Sequence, residues 1–239
     1  MKVGRSNRLK RAKLFTMKKS PVISLKYFLY DFVRINGWPL LVWFRPKTIY
    51  VHKETKKAFK SGLILMSNHI SFFDPFYILV SILRRRHHFV ATKEMFSSKF
   101  SNWWFTNAFL CIKIDRENFS LASLKEIMNH IEMGDMVTMF PEGHINFSEN
   151  KENLNPFKGG IAMMALKTKC PIVPVYIHKK KHWYSRLVTY VGDPINVWDY
   201  VEGKSFNVND VKKISLILQT KEKELEMLCN QNKKVDNNN

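Results

Sequence analysis

Within residues 63–75, Leu-Ile-Leu-Met-Ser-Asn-His-Ile-Ser-Phe-Phe-Asp-Pro, a histidine and an aspartate follow directly on an apolar run. A carboxylate that accepts a hydrogen bond from one imidazole nitrogen fixes the tautomer, and the other nitrogen can then take a proton from a hydroxyl. His69 and Asp74 are five residues apart, which would put them on different faces of a regular helix, so they meet only if the chain turns before a helix starts. Asp74-Pro75 reads as that start, with Asp74 as N-cap and Pro75 at the first helical position. The plainer alternative is that Asp74 only caps the helix and His69 is an ordinary hydrogen-bonded structural residue. Two further clusters stand at strand ends. Phe140-Pro141-Glu142-Gly143-His144 suits either a site turn or an ordinary β-turn with a solvated acid. In Asp115-Arg116 the guanidinium either grips a phosphate through paired N–H donors or pairs with a neighbouring acid.

These residues need a scaffold that brings strand ends together. Apolar runs predict strands over 48–52, 63–66, 89–91, 112–114, 136–140, 172–177 and 187–191. Helical spacing predicts helices over 75–83, 93–105, 120–131, 160–167 and 211–228, with a polar loop from 141 to Pro156. The alternation implies an α/β fold: a mixed, mostly parallel sheet flanked by helices, with sites at the strand ends. The chain divides into a basic arm (1–20), an amphipathic segment (21–46), one main domain (47–230) and a polar tail (231–239).

Charge narrows the surroundings. Lys and Arg number 39 against 20 Asp and Glu, a formal charge of +19, so the surface attracts polyanions. Eight of these cations and no acid fall in the first twenty residues, where each contributes about 1 kcal/mol beside an anionic leaflet. Between residues 22 and 35, Val22, Leu25, Phe28, Leu29, Phe32 and Val33 recur at helical spacing, with Lys26, Tyr30, Asp31 and Arg34 on another side. Charged residues interrupt the run, so it reads as lying in the membrane interface rather than spanning it; packing on the core is the alternative. Three separated cysteines fit a reducing, intracellular setting, and no His, Cys or carboxylate spacing suits a metal. The same charge, with aromatics at Trp103, Trp104 and Phe105, also suits a nucleic-acid-binding module, but no groove-reading or RNA-binding signature accompanies it.

Taken together, the motifs resemble those of the phospholipid and glycerol acyltransferases, the family that includes bacterial lysophosphatidate acyltransferases. Asn68-His69 through Asp74 is similar to its Asn-His, four residues, Asp motif. Asp115-Arg116 is similar to the second motif, the run Phe140, Pro141, Glu142, Gly143 to the third, and 172–177 to the fourth; Lys158 falls in a similar Lys and Gly stretch. The resemblance covers roughly residues 48 to 200. It implies transfer of an acyl group from acyl-CoA or acyl carrier protein to a lysophospholipid, most simply 1-acylglycerol 3-phosphate, giving phosphatidate without cofactor or metal. His69 would be the base and Asp74 its support. Asn68, Arg116, Phe140, Pro141, Glu142, Gly143 and Lys158 would line the substrate site, with a backbone N–H near Asn68 or at a glycine turn holding the oxyanion. Phe72, Phe73, Phe76 and Ile78 would supply an acyl groove. The expected partners are an anionic membrane surface and these substrates, not nucleic acid, with the enzyme peripheral or monotopic on the cytoplasmic face. Leu110 stands where the family often has glycine, and His144-Ile145-Asn146 where it often has Thr-Arg-Ser. Either Arg116 with Lys158 or Lys93 then carries the phosphate, or the acceptor has a different headgroup, as in another lyso-lipid or an amino-acid lipid.

Overall fold

In the computed structural model, residues 27–36, 39, 45–83, 85–115, 120–145, 157, 159–178 and 186–236 are described. The basic arm, Arg116 and Lys158 lie outside them. The elements run α1 (Phe28–Asn36), β1 (Lys47–Tyr50), β2 (Leu63–Ser67), α2 (Asp74–Ser81), β3 (His87–Thr92), α3 (Lys99–Ala108), β4 (Ile112–Ile114), α4 (Leu121–Glu132), β5 (Met136–Met139), α5 (Gly160–Thr168), β6 (Ile172–Ile177), β7 (Val188–Val191) and α6 (Val208–Asp236).

The strands form one sheet in the order β1-β7-β6-β2-β5-β3-β4. All neighbours are parallel except β6 and β7, so β1 and β7 run against the other five. This is the mixed, mostly parallel α/β sheet that the alternation of apolar runs predicts. β2, β5 and β6 are buried at every position, which is why they read as mostly apolar runs, with buried Ser67 and Thr138 as the polar members: helices cover both faces of the sheet. On one face Ile64, Met66, Val137 and Ile172 pack against Ile127 of α4, Ala165 of α5 and Leu218 of α6. On the other, Leu63, Leu65 and Val173 meet Ile78 of α2 and Phe59.

Several elements differ from the sequence expectation, among them a 3₁₀ segment (Val197–Tyr200) where none is predicted. The predicted helix over 93–105 is two pieces, a 3₁₀ turn (Lys93–Phe96) and α3, because Ser98 accepts the Ser101 N–H while the Ser101 hydroxyl takes the Ser98 N–H, a reciprocal cap that starts a new helix. A 3₁₀ segment (Lys53–Lys60) fills a stretch with no predicted element, anchored by buried Thr55 and Phe59. α6 runs on past residue 228 to Asp236; its start is set by Asn207 Oδ1, which accepts the Asn209 and Asp210 N–H groups.

α1 is oriented against ordinary expectation. Its polar side faces the protein: the Tyr30 hydroxyl accepts the His87 N–H (3.1 Å), and Asp31 pairs with Arg86 (2.8 Å). Its apolar side faces out, with Phe28, Phe32 and Ile35 all exposed and the first two stacked on each other. Among the described residues no helix is long and apolar enough to cross a membrane.

Candidate active site

β2 ends at Ser67, and the next residue continues its pairing through a side chain. Buried Asn68 donates from Nδ2 to the Ile177 carbonyl (3.0 Å) and accepts the Ile177 N–H at Oδ1 (2.8 Å). Its carboxamide thereby stands in for a strand peptide on β6. The main chain is released from the sheet, and His69 projects beyond the carboxyl end of β2, where open α/β sheets build their sites.

The chain then folds back on Asp74. Its Oδ2 accepts three hydrogen bonds, from His69 Nδ1 (2.8 Å), the Ile70 N–H (2.6 Å) and the Ser71 N–H (2.8 Å). Asp74 is fully buried, so this oxygen's partners are the protein's own. It is not the N-cap of α2. Phe73 holds that position without a side-chain cap and Asp74 is the first helical residue, because its carboxylate is turned back onto the 69–71 turn. Since an ionised carboxylate only accepts, the proton sits on His69 Nδ1 and leaves Nε2 as the basic nitrogen.

Two residues of the turn after β5 hold the histidine from other sides. The Phe140 ring stacks on the imidazole with centroids 4.2 Å apart, and buried Glu142 accepts the His69 N–H (3.1 Å). The turn closes through the Gly143 N–H to the Phe140 carbonyl (3.1 Å), with Gly143 at φ 75°, a region where glycine carries no steric penalty. The N–H groups of residues 69, 70, 71 and 143 are therefore all engaged within the protein. Among the described residues these four N–H groups are thus not free for a developing oxyanion, and the expectation of a donor near Asn68 or at a glycine turn rests on other N–H groups, such as those at Gly159-Gly160.

His69 opens onto a cavity of about 1360 Å³, larger than the roughly 300–1,000 Å³ of ordinary small-molecule sites. Its walls are mainly apolar, among them Phe76, Met95, Trp104, Phe105 and Met164. Phe72, Phe73 and Phe76 line it as expected; Ile78 does not, being wholly buried beneath the sheet. Phe72, Phe73 and Leu121 are both cavity-lining and exposed, which places them at the mouth. Cys111 also lines the cavity, but burial pushes its thiol up to about 12, so it stays protonated and is no nucleophile.

Of the cationic candidates, Lys93 donates to Asp115 (2.8 Å). Lys167 of α5, which the sequence reading missed, is exposed and lines the cavity; its place in a helical run disguised it as a solvated lysine. Also missed was Glu222 of α6, wholly buried behind the site. Burial first, then the nearby Glu142 and Glu226, push its carboxyl well above the usual range, against the pull of the Asn68 backbone N–H.

The comparison that bears on this arrangement is with a protein-family model described as Acyltransferase, which matches residues 48–178. This span holds the whole His69, Asp74 and Glu142 constellation. The chain belongs to the acyltransferase family. It is 27% identical over 188 residues to a protein of Streptococcus pneumoniae named 1-acyl-sn-glycerol-3-phosphate acyltransferase, covering 74% of this chain and 62% of that one. It is 25% identical over 157 residues to a protein of the same name from Bacillus subtilis, covering 64% and 76%. The match thus spans somewhat less than two thirds of the streptococcal relative. In fold the chain is similar to the crystal structure of the 1-acyl-sn-glycerophosphate acyltransferase PlsC from Thermotoga maritima, with a TM-score of 0.58 at 18% identity over 85% of this chain and 80% of that one. Against the resemblance drawn from the motifs, the acyltransferase chain has one notable backbone feature. Leu110, where the family often has glycine, sits at φ 50° in the left-handed region, which costs a non-glycine residue about 1 kcal/mol or more.

Proposed function

We propose that this acyltransferase family member moves an acyl group from a thioester donor, acyl-CoA or acyl carrier protein, to the free hydroxyl of 1-acylglycerol 3-phosphate at a membrane surface. The reading rests on one observation: His69, its Nδ1 tied to buried Asp74, presents Nε2 to a large apolar cavity. The acceptor hydroxyl gives its proton to Nε2 as its oxygen attacks the thioester carbonyl. The tetrahedral adduct collapses, the C–S bond breaks, and the imidazolium returns the proton to the departing thiolate. Asp74 keeps the tautomer that makes this possible and stabilises the imidazolium.

The names of the two bacterial relatives support the acceptor. Arg116 and Lys158, by resemblance, and Lys167, by its place at the cavity, are the cations proposed to meet its phosphate. A lipid surface fits the outward apolar face of α1 and the exposed Phe72 and Phe73 at the mouth, together with the +19 charge. The mainly apolar cavity supports an acyl chain as its occupant, and either kind of carrier is proposed as the donor.

Purified protein incubated with a panel of lysophospholipids and both donor types, with products identified by mass, tests the proposal. Phosphatidate from 1-acylglycerol 3-phosphate is the expected product. The His69→Ala protein is expected to lose about 10²–10⁴-fold in kcat while unfolding at the same temperature as wild type. Wild-type turnover in that variant would remove His69 from the chemistry.

A further inference from the structure

The sequence shows no metal-ligand spacing, yet the fold assembles one. His88 of β3, His130 of α4 and Asp135 before β5 come together at the amino-terminal edge of the parallel strands, the end of the sheet away from His69. All three are buried, at 3%, 8% and 3% exposed respectively. Asp135 Oδ2 lies 3.2 Å from His88 Nε2 and 3.4 Å from His130 Nδ1. Neither Asp135 Oδ2 nor His130 Nδ1 has a hydrogen bond of proper alignment among the described residues. The three ligand atoms face one another at ion-pair distance without an aligned hydrogen bond, the spacing that an ion set between them would use.

The distances fit an ion. Around a metal bonded at 2.0–2.1 Å the edge of a tetrahedron is about 3.3–3.4 Å, and the two nitrogen to oxygen separations match that edge; all three ligand atoms fall within 4.8 Å of one another. The cluster is also held ready. Gly134 at φ 86° turns the chain so that the Asp135 N–H reaches the His130 carbonyl (3.0 Å) and the Gly134 N–H the Ile131 carbonyl (3.0 Å). The two imidazoles stack at 3.6 Å between centroids, an arrangement that suits neutral rings, the form that ligates. Tyr27 covers His88 edge-on. The cation beside the cluster, Arg86, is already engaged by Asp31 at 2.8 Å.

We propose that His88, His130 and Asp135 form a binding site for one divalent transition metal ion of the Zn²⁺ type, with two imidazoles and one carboxylate as ligands and a fourth position for water. Two nitrogen donors favour such an ion over Mg²⁺ or Ca²⁺, which prefer all-oxygen shells. The ion would clasp the starts of β3 and β5 to the end of α4, under Tyr27 and the first turn of α1.

The test uses the full chain, stripped with chelator, dialysed against Zn²⁺ and analysed for metal. Retention of one Zn²⁺ per chain is expected, undiminished by excess Mg²⁺. The ion is expected to be lost in His130→Gln and in Asp135→Asn and kept in His52→Ala, which alters the exposed His52 and Asp193 pair. Failure of wild type to retain zinc overturns the proposal, as does retention that follows His52 rather than His130 and Asp135. Should the two ligand variants not fold, zinc K-edge absorption of the loaded wild-type protein decides: a shell with imidazole scattering and no sulfur is expected, and a sulfur shell or fully hydrated zinc overturns it.

Discussion

Two histidine and aspartate clusters occupy opposite ends of the same sheet, and they are wired in opposite ways. At the carboxyl ends of the strands, Asp74 Oδ2 takes three hydrogen bonds and the ring it orients faces a cavity. At the amino ends, Asp135 Oδ2 lies farther from two imidazoles, at 3.2 and 3.4 Å, with no aligned hydrogen bond to either, and the rings are closed in. Residue type alone does not separate a proton-transfer pair from a metal clasp. Backbone donors do: the Asp74 Oδ2 that meets His69 is also held by the 70 and 71 N–H groups, whereas the Asp135 Oδ2 that meets two imidazoles is held by no aligned hydrogen bond among the described residues.

The largest effect that sharpens this contrast belongs to Asp74→Asn. All three hydrogen bonds end on one oxygen, so the amide can keep them by placing its own oxygen there; what it loses is the negative charge that supports the His69 imidazolium. A fall in kcat of about 10²–10⁴-fold is expected, together with a loss of stability because a neutral amide oxygen accepts the turn's N–H groups more weakly than a carboxylate. Steady-state kinetics alongside thermal unfolding separate the two. If the variant unfolds a few degrees lower but turns over at the wild-type rate, Asp74 belongs to the turn and not to the chemistry, and the two clusters cease to differ in kind.

A smaller effect is expected from Asn68→Ala. Both carboxamide bonds to Ile177 lie in a fully buried setting, so truncation leaves a backbone donor and acceptor without partners. About 2–4 kcal/mol of stability should be lost, read as a shift in the urea midpoint at constant slope. A variant of unchanged stability with a raised KM would instead put Asn68 on the substrate.

How much of this was legible in sequence follows the same division. β2, β5 and β6 were readable because strands buried on both faces are mostly apolar, and the charged residues leaving them stood out by contrast. The 69 to 74 pair was readable because it is local, although the backward turn of Asp74 was not; an Asp before a proline fits a cap equally well. Ile78 looked no different from Phe76, since the face of α2 that meets the cavity is set by tertiary packing. The break at Ser98 was hidden because reciprocal serine capping looks like ordinary surface polarity. His88, His130 and Asp135 come from three elements, and no linear spacing marks them. α6 was read short because its polar C-terminal turns, with no apolar stripe to follow, resemble a tail.

The smallest expected effect concerns a third carboxyl, which has neither the hydrogen bonds of Asp74 nor the imidazoles of Asp135. Glu222 is wholly buried, and its carboxyl is held well above the usual range by burial and by Glu142 and Glu226. The folded chain therefore binds a proton there that the unfolded chain releases, so its contribution is fully present below the unfolded value and is lost as pH rises through the folded one. Glu222→Gln keeps the shape and neutral hydrogen-bonding capacity and removes the titration. Relative to wild type, the variant should gain stability as pH rises from about 5 to 9, by on the order of 1 kcal/mol or roughly 2–4 °C in Tm for a domain of this size. Thermal unfolding of both proteins across that range checks the sign. A constant difference at every pH would mean that Glu222 is already ionised at pH 5, and that the Asn68 N–H outweighs burial in setting its charge.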